Sequence, residues 1–255
     1  IASFSQEMKP PQNPVRFIPD IRPGDRMIMP SRLGEIGEQQ RADHYHLPAN
    51  AVCYHWGEYT PYEHTNGRRW NYSPTNQLIA NFKKSPDRRG TAEWQYKEQA
   101  IERVATAFSK LVNWENATKT SGAVVVPIPP SKSRGHPLFD DRMMRTLTRV
   151  AQLIKPPLDI RDCLSFSGAN VASHQESNRP SPDALYDDLQ IDETTGNLAP
   201  PPTRILVFDD VITSAAHFVA ASRKLNDTFP RAKIIGFFIA RRVLPNPFED
   251  FDALD

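Results

Sequence analysis

The sequence has little cysteine, little net charge and no long apolar run, and each shortage narrows what the chain can be. Only Cys53 and Cys163 occur in 255 residues, too few for a disulfide framework, so reduced thiols in a cytoplasmic protein are expected. The 31 basic residues nearly balance the 30 acidic ones. No global field therefore draws in nucleic acid, and binding DNA or RNA would need a local patch. No stretch approaches the ~20 apolar residues of a membrane span, and no charged-then-apolar leader opens the sequence, so no membrane association is expected. There is no internal repeat, and local sequence supports no Ser/His/Asp or nucleophilic Cys arrangement.

Proline, by contrast, is abundant: 24 residues, nearly double the typical share of ~5%. Many fall between Pro10 and Pro30, where PPQNPVRFIPDIRPGD reads as an extended, proline-rich arm over residues 1–50, with Phe17, Ile18 and Ile21 available to bury. Residues 51–120 read as a hood or helical appendage. It holds a strand at 52–59, a helix from Pro74 carrying Leu78, Ile79 and Phe82, and a long helix from about Thr91 to Trp114 with Ile101, Val104 and Phe108 on one apolar face. From 121 to 255 the pattern alternates: strand 123–128, helix 139–154, strand 158–164, a long polar loop from Ser165 to Pro202, strand 204–209, helix 214–228 and strand 233–240. Alternation of this kind predicts an α/β core with a mainly parallel sheet in three layers and right-handed crossovers.

The most informative segment is ILVFDDVITSAAHF, Ile205 to Phe218. Ile205 to Phe208 have the length and β-branched character of a strand buried on both faces. Asp209 and Asp210 follow at its carboxyl end, where open α/β sheets bind ligands. Thr213, Ser214, Ala215, Ala216 and His217 then form a turn into a helix whose free N–H groups suit a phosphate. Adjacent acids before Thr and Ser can also simply cap the next helix. Two neighbouring carboxylates in a crevice repel, so removing their charge is expected to leave stability unchanged or slightly raised. A second run, Ala123 to Ile128, ends in prolines followed by Ser131, Lys132, Ser133, Arg134 and Gly135. Prolines stop the strand and stiffen the turn, and the cations stand where a pyrophosphate could be held, or form a solvated basic turn.

Residues 205–218 resemble the PRPP-binding motif of the type I phosphoribosyltransferases: four apolar residues, two acids, two apolar residues, then T-T-G-x-T. Ala215 stands in place of the usual Gly and His217 in place of the usual Thr. The loop after Ile128 is similar to the pyrophosphate loop of that family, and SKSRGHP is closest to the ComF-like (competence protein F) members, without their four-cysteine zinc ribbon. Asn76 to Arg89 also resembles a ComF-like stretch, an apolar helix ending in a Lys-rich turn. The resemblance implies a type I phosphoribosyltransferase core over 121–255. By it, Asp209 and Asp210 bind the ribose 2′- and 3′-hydroxyls with Mg²⁺ nearby, directly or through water. Thr213, Ser214, Ala215, Ala216 and His217 hold the 5′-phosphate, and Pro130, Ser131, Lys132 and Arg134 hold pyrophosphate. A flexible loop with His174 and Arg179 closes over the site. The implied reaction transfers ribosyl 5-phosphate from PRPP to a nitrogen nucleophile. Rival readings are a PRPP- or nucleotide-sensing regulator without turnover, and an effector or accessory protein of DNA uptake or antiphage defence acting with nucleic acid. A homo-oligomer is compatible with all three.

If the turn needs a left-handed residue at 215, Ala costs roughly 1–2 kcal/mol there, while a protonated His217 keeps a charge-assisted bond to phosphate. His44, His46, Cys53 and His55 are ligand types that zinc accepts, but their spacing fits no named pattern and no zinc is expected. Arg68, Arg69, Lys83, Lys84, Arg88 and Arg89 lie in sequence near Trp70, Tyr72 and Phe82. That strip would suit a stacked single strand, or be a solvated face.

Overall fold

A computed structural model describes residues 29–119, 122–167, 180–194 and 198–244. The architecture is organised by β6 (Arg204–Ile212), which lies between β7 (Lys233–Arg242) and β3 (Ala123–Pro127), parallel to both. β2 (Val52–Tyr59) pairs in parallel with the outer side of β7, and β1 (Gly34–Glu35) adds antiparallel to β2, giving the order β1-β2-β7-β6-β3. Beyond β3 a single parallel bridge joins Val125 to Ile160.

Strand alternation turns the apolar run of β6 into two cores. Ile205 and Val207 pack with Phe218, Ala221 and Leu225 of α6 (Ala216–Thr228). Leu206 and Phe208 pack on the other face with Phe82 of α1 (Pro74–Phe82), Phe108 of α2 (Trp94–Leu111), Trp114 of α3 (Trp114–Lys119) and Leu147 of α4 (Arg142–Leu153). Helices therefore cover both faces. Gly236 of β7 is needed for that fit, because a Cβ there would lie 2.9 Å from Cys53 Sγ and from the Phe218 ring.

Three regions differ from the sequence expectation. The strand expected at 158–164 is reduced to the bridge at Ile160. That bridge is held by the Val125 amide donating to the Asp159 carbonyl and the Arg161 amide to the Val125 carbonyl, both at 2.8 Å, while the Arg161 side chain reaches the Asp159 carboxylate and the Pro200 carbonyl. Regular pairing resumes at β4 (Leu164–Phe166), in a separate two-stranded sheet with β5 (Leu189–Ile191). The long loop at 165–202 contains α5 (Pro182–Asp188) as well as β5. Ser181 caps that helix, its hydroxyl accepting from the Ala184 amide at 3.2 Å, and Pro182 starts it. The described part of the arm is folded onto the sheet: β1 and a 3-10 turn at Glu38–His44 bury Ile36 and His44. The boundaries expected at 50 and 120 thus fall within one sheet, since β1 and β2 extend the layer that β3, β6 and β7 form.

Candidate functional site

The strand order puts a topological switch between β3 and β6. β3 leads through α4 to Ile160 on one side, and β6 leads through α6 to β7 on the other. The crevice beyond the carboxyl ends at such a switch is where open α/β sheets bind ligands. The turn opening α6 and the basic loop after β3 both start there.

β6 runs on through the acid pair, so the two carboxylates leave the strand on opposite faces. Asp210 falls on the side of Leu206 and Phe208, where both its oxygens are occupied. Lys83 Nζ lies 2.8 Å from Oδ1, and Arg142 donates to Oδ2 from Nη2 at 2.6 Å and from Nε at 3.1 Å. Arg142 also donates to Asp140 Oδ2 at 2.8 Å, and the same oxygen accepts from Lys97 Nζ at 2.7 Å. Lys97 is wholly buried, and its other donors reach the carbonyls of Phe82 and Lys84 at 3.1 and 2.7 Å. Burial works against the Asp210 charge, but Lys83 and Arg142 outweigh it and hold this carboxyl below the usual range. The pairing reverses the expectation that removing the charge at 210 would not harm the fold.

Asp209 is different. It is half-buried, its Oδ1 accepts the Asp210 amide at 2.7 Å, and its Oδ2 makes no hydrogen bond among the described residues. Burial first, then the neighbouring Asp210 charge, pushes its carboxyl up to about 7.

The turn from Thr213 to His217 contains one left-handed residue. Ala215 is left-handed at φ 72° and ψ 8° and stands at the start of α6, the conformation that favours glycine. Two histidines weighed as zinc ligands pin this turn from outside. His44 Nδ1 donates to the Thr213 carbonyl, and the His46 amide donates to the Ser214 carbonyl at 3.0 Å. Because a carbonyl only accepts, Nδ1 carries the hydrogen. Burial lowers the His44 pKa and keeps the ring neutral, leaving Nε2 bare and buried without a partner. Cys53 sits in the core, and His55 Nδ1 donates to the Gly57 carbonyl at 3.1 Å. His217 stands in the first turn of α6, edge-on to Phe166 with ring centroids 6.0 Å apart. Burial lowers its pKa too, so at neutral pH it offers an uncharged N–H rather than the charge-assisted bond expected of a protonated ring.

On the β3 side Ser131 is exposed, and Pro130 and Lys132 are half-buried. Arg134 is already engaged, donating to the Asp162 carboxylate at 2.5 Å and to its carbonyl at 2.7 Å. Lys132 makes no ion pair among the described residues, so it is the free cation of this loop. Lys132, Arg134, Pro130, Asp140 and Phe166 line a cavity of about 20 Å³, room for about one water. His174 and Arg179 lie outside the described residues.

No protein-family model matches the chain, and no curated protein matches it.

Among the described residues no group of three or more His, Cys, Asp or Glu is placed to hold a metal. Mg²⁺ does not need one, because it commonly takes one or two carboxylates and fills its shell with water and substrate phosphate. Asp209 fits that use through Oδ2. Asp210, with both oxygens committed to cations, does not. The basic strip is divided: Lys83 goes to Asp210, while Lys84 and Arg89 lie over the rings of Tyr96 and Trp94 at 6.0 and 5.3 Å.

Sequence reasoning passed over Lys97, Asp140 and Arg142. Two signals were present. Lys97 stands in the apolar stripe of α2, four residues before Ile101, a position that buries whatever occupies it. Arg142 opens α4, where the helix dipole disfavours a cation unless an anion meets it.

Proposed function

We propose that the chain binds 5-phosphoribosyl diphosphate (PRPP) at the β3–β6 switch and transfers ribosyl 5-phosphate from it to a nitrogen nucleophile. The observation that carries this reading is the left-handed turn at Ala215, which opens α6 a few residues beyond the acid pair of β6, while the neighbouring parallel strand β3 leads into the loop that holds Lys132. A carboxylate accepts hydrogen bonds from vicinal hydroxyls, and each such charged bond contributes about 1.5–3 kcal/mol. The first amides of a helix have no intrahelical partner and suit a terminal phosphate. Lys132 stands where negative charge would build up on a departing pyrophosphate. In the reaction the C1–O bond of ribose breaks with its electron pair going to pyrophosphate. A C1–N bond forms, and the nitrogen loses a proton. Mg²⁺, when bound, would neutralise charge on the diphosphate. The chain's own contribution is positioning and stabilisation of separated charge.

A second reading, binding without turnover, draws on Arg134, whose guanidinium is taken by Asp162 rather than offered to the crevice. Thermal melts with PRPP and Mg²⁺, followed by a panel of bases, test both. A ligand-dependent rise in midpoint supports the site. Pyrophosphate release with one base then supports transfer, and binding with no release under any base supports the sensor. No rise at millimolar PRPP refutes the PRPP site.

A further inference from the structure

The acid pair is two residues long in sequence but two different environments in space. Asp210 is 4% exposed, and its oxygens are shared between Lys83 from the end of α1 and Arg142 from the start of α4. For a ribose hydroxyl to reach it, one of those cations would have to leave. Arg142 is the less free of the two, since Asp140 also holds it at 2.8 Å and Asp140 is itself tied to the buried Lys97. Asp209, on the opposite face of β6, keeps one oxygen open and makes no ion pair among the described residues. We propose that the pair is divided in labour: Asp209 alone receives the ligand's vicinal hydroxyls, and Asp210 is a positioning residue that fixes Lys83 and Arg142 around the crevice. The proposal rests on the ribosyl-phosphate reading of the site. The physical ground is that a carboxylate with two charged partners and almost no solvent contact has little acceptor capacity left. Its neighbour, which accepts only a main-chain amide among the described residues, keeps the acceptor capacity of Oδ2. The arrangement also ties the hood to the core, since Lys83 belongs to the segment between β2 and α2 and Asp210 to the central strand.

The test compares Asp209→Asn, Asp210→Asn and Asp210→Glu by two readouts on the full chain: the thermal midpoint in buffer, and calorimetric affinity for PRPP with Mg²⁺ below that midpoint. Asp209→Asn is expected to melt at or above the parent temperature and to lose at least about tenfold in affinity, the equivalent of one charged hydrogen bond of about 1.4 kcal/mol or more. Asp210→Asn is expected to melt several degrees lower, while its folded fraction binds within about tenfold of the parent. Asp210→Glu, which keeps a charge between the cations, should recover part of both losses. Should Asp210→Asn fold too poorly to assay, the charge-matched pair Asp210→Asn with Lys83→Met takes its place with the same expectation. Loss of binding in a folded Asp210 variant with retention in Asp209→Asn would overturn the division, and so would equal loss in both. If the parent itself binds no PRPP, the ribosyl-phosphate reading has failed. The opposite melting shifts of the two variants would then still show which acid the fold uses.

Discussion

Lys97→Met removes the most deeply buried charge in the hood at nearly constant volume. The ammonium has three donors and three acceptors: Asp140 Oδ2 at 2.7 Å and the carbonyls of Phe82 and Lys84 at 3.1 and 2.7 Å. Met leaves Asp140 with Arg142 still donating at 2.8 Å, so the carboxylate is not orphaned. The two carbonyls at the end of α1 lose a charged donor, at about 1–3 kcal/mol for each that finds no water. Breaking a buried pair by removing one partner typically costs about 3–5 kcal/mol. Against this, an apolar side chain gains about 1.5–3 kcal/mol on burial and no ammonium has to be desolvated. The balance is a loss of roughly 2 kcal/mol, or about 4–8 °C for a domain of this size. Urea melts at pH 7 measure it as a lower transition midpoint with an unchanged slope. In a cycle with Asp140→Asn the two losses should fall short of additive by about 0.5–3 kcal/mol. A variant as stable as the parent, or more so, would refute the reasoning by showing that the desolvation cost of Lys97 equals all its hydrogen bonds return.

Asp209 carries a pH signature. Its carboxyl is raised to about 7 in the fold, so the native state binds this proton more tightly than the unfolded chain does. Its contribution to stability is complete below its ordinary ~3.9 and declines as pH rises towards about 7. Asp209→Asn should therefore raise the melting midpoint more at pH 8 than at pH 5, and an equal shift at both would contradict the assignment. At Ala215, with φ 72°, Val should destabilise by more than 2 kcal/mol in denaturant melts. Gly should be within about 1 kcal/mol of neutral, because relief of the left-handed cost is offset by chain entropy and a lost buried methyl. Cys53 and Cys163 are buried, and burial pushes their thiols up to about 12 and about 11. Native protein should accordingly react with alkylating reagents orders of magnitude more slowly than denatured protein, as read by mass spectrometry.

What was legible in the sequence was local. The continuous apolar run Ile205–Phe208 needs burial on both faces, but the strand does not stop at the acids after it: it runs on to Ile212 and buries Asp210, Val211 and Ile212. Position 215 stood out through the resemblance alone, which has Gly where this chain has Ala, and Ala215 takes the left-handed conformation that favours glycine. What was not legible was pairing at long range. Nothing near Asp210 in the chain shows that Lys83 and Arg142 will meet it, because each salt bridge depends on where α1 and α4 land on the sheet. The same limit hid the role of His44 and His46. Their types are ones that zinc accepts, although no zinc was expected, and their positions at and just after the end of the 3-10 turn deliver them to the carbonyls of Thr213 and Ser214. The residues between Ser165 and Pro202 read as a loop because the stretch is long and polar. Leu185 and Leu189 were enough to fold α5 and β5 onto α6.

The sheet order has a consequence for how the molecule is made. β7 sits between β2 and β6, so β2 must wait for the later-synthesised β7 before it gains its parallel neighbour. At typical elongation rates of about 5–20 residues per second, the gap from Tyr59 to Lys233 corresponds to roughly ten to thirty seconds. During that interval Val52–Tyr59 has, among the described residues, the two-residue β1 to pair with, and Cys53 lacks Phe238, a member of the core it joins. Nascent chains halted before Lys233 should therefore be more open to proteases across β2 than chains that include Arg242, as read by limited proteolysis.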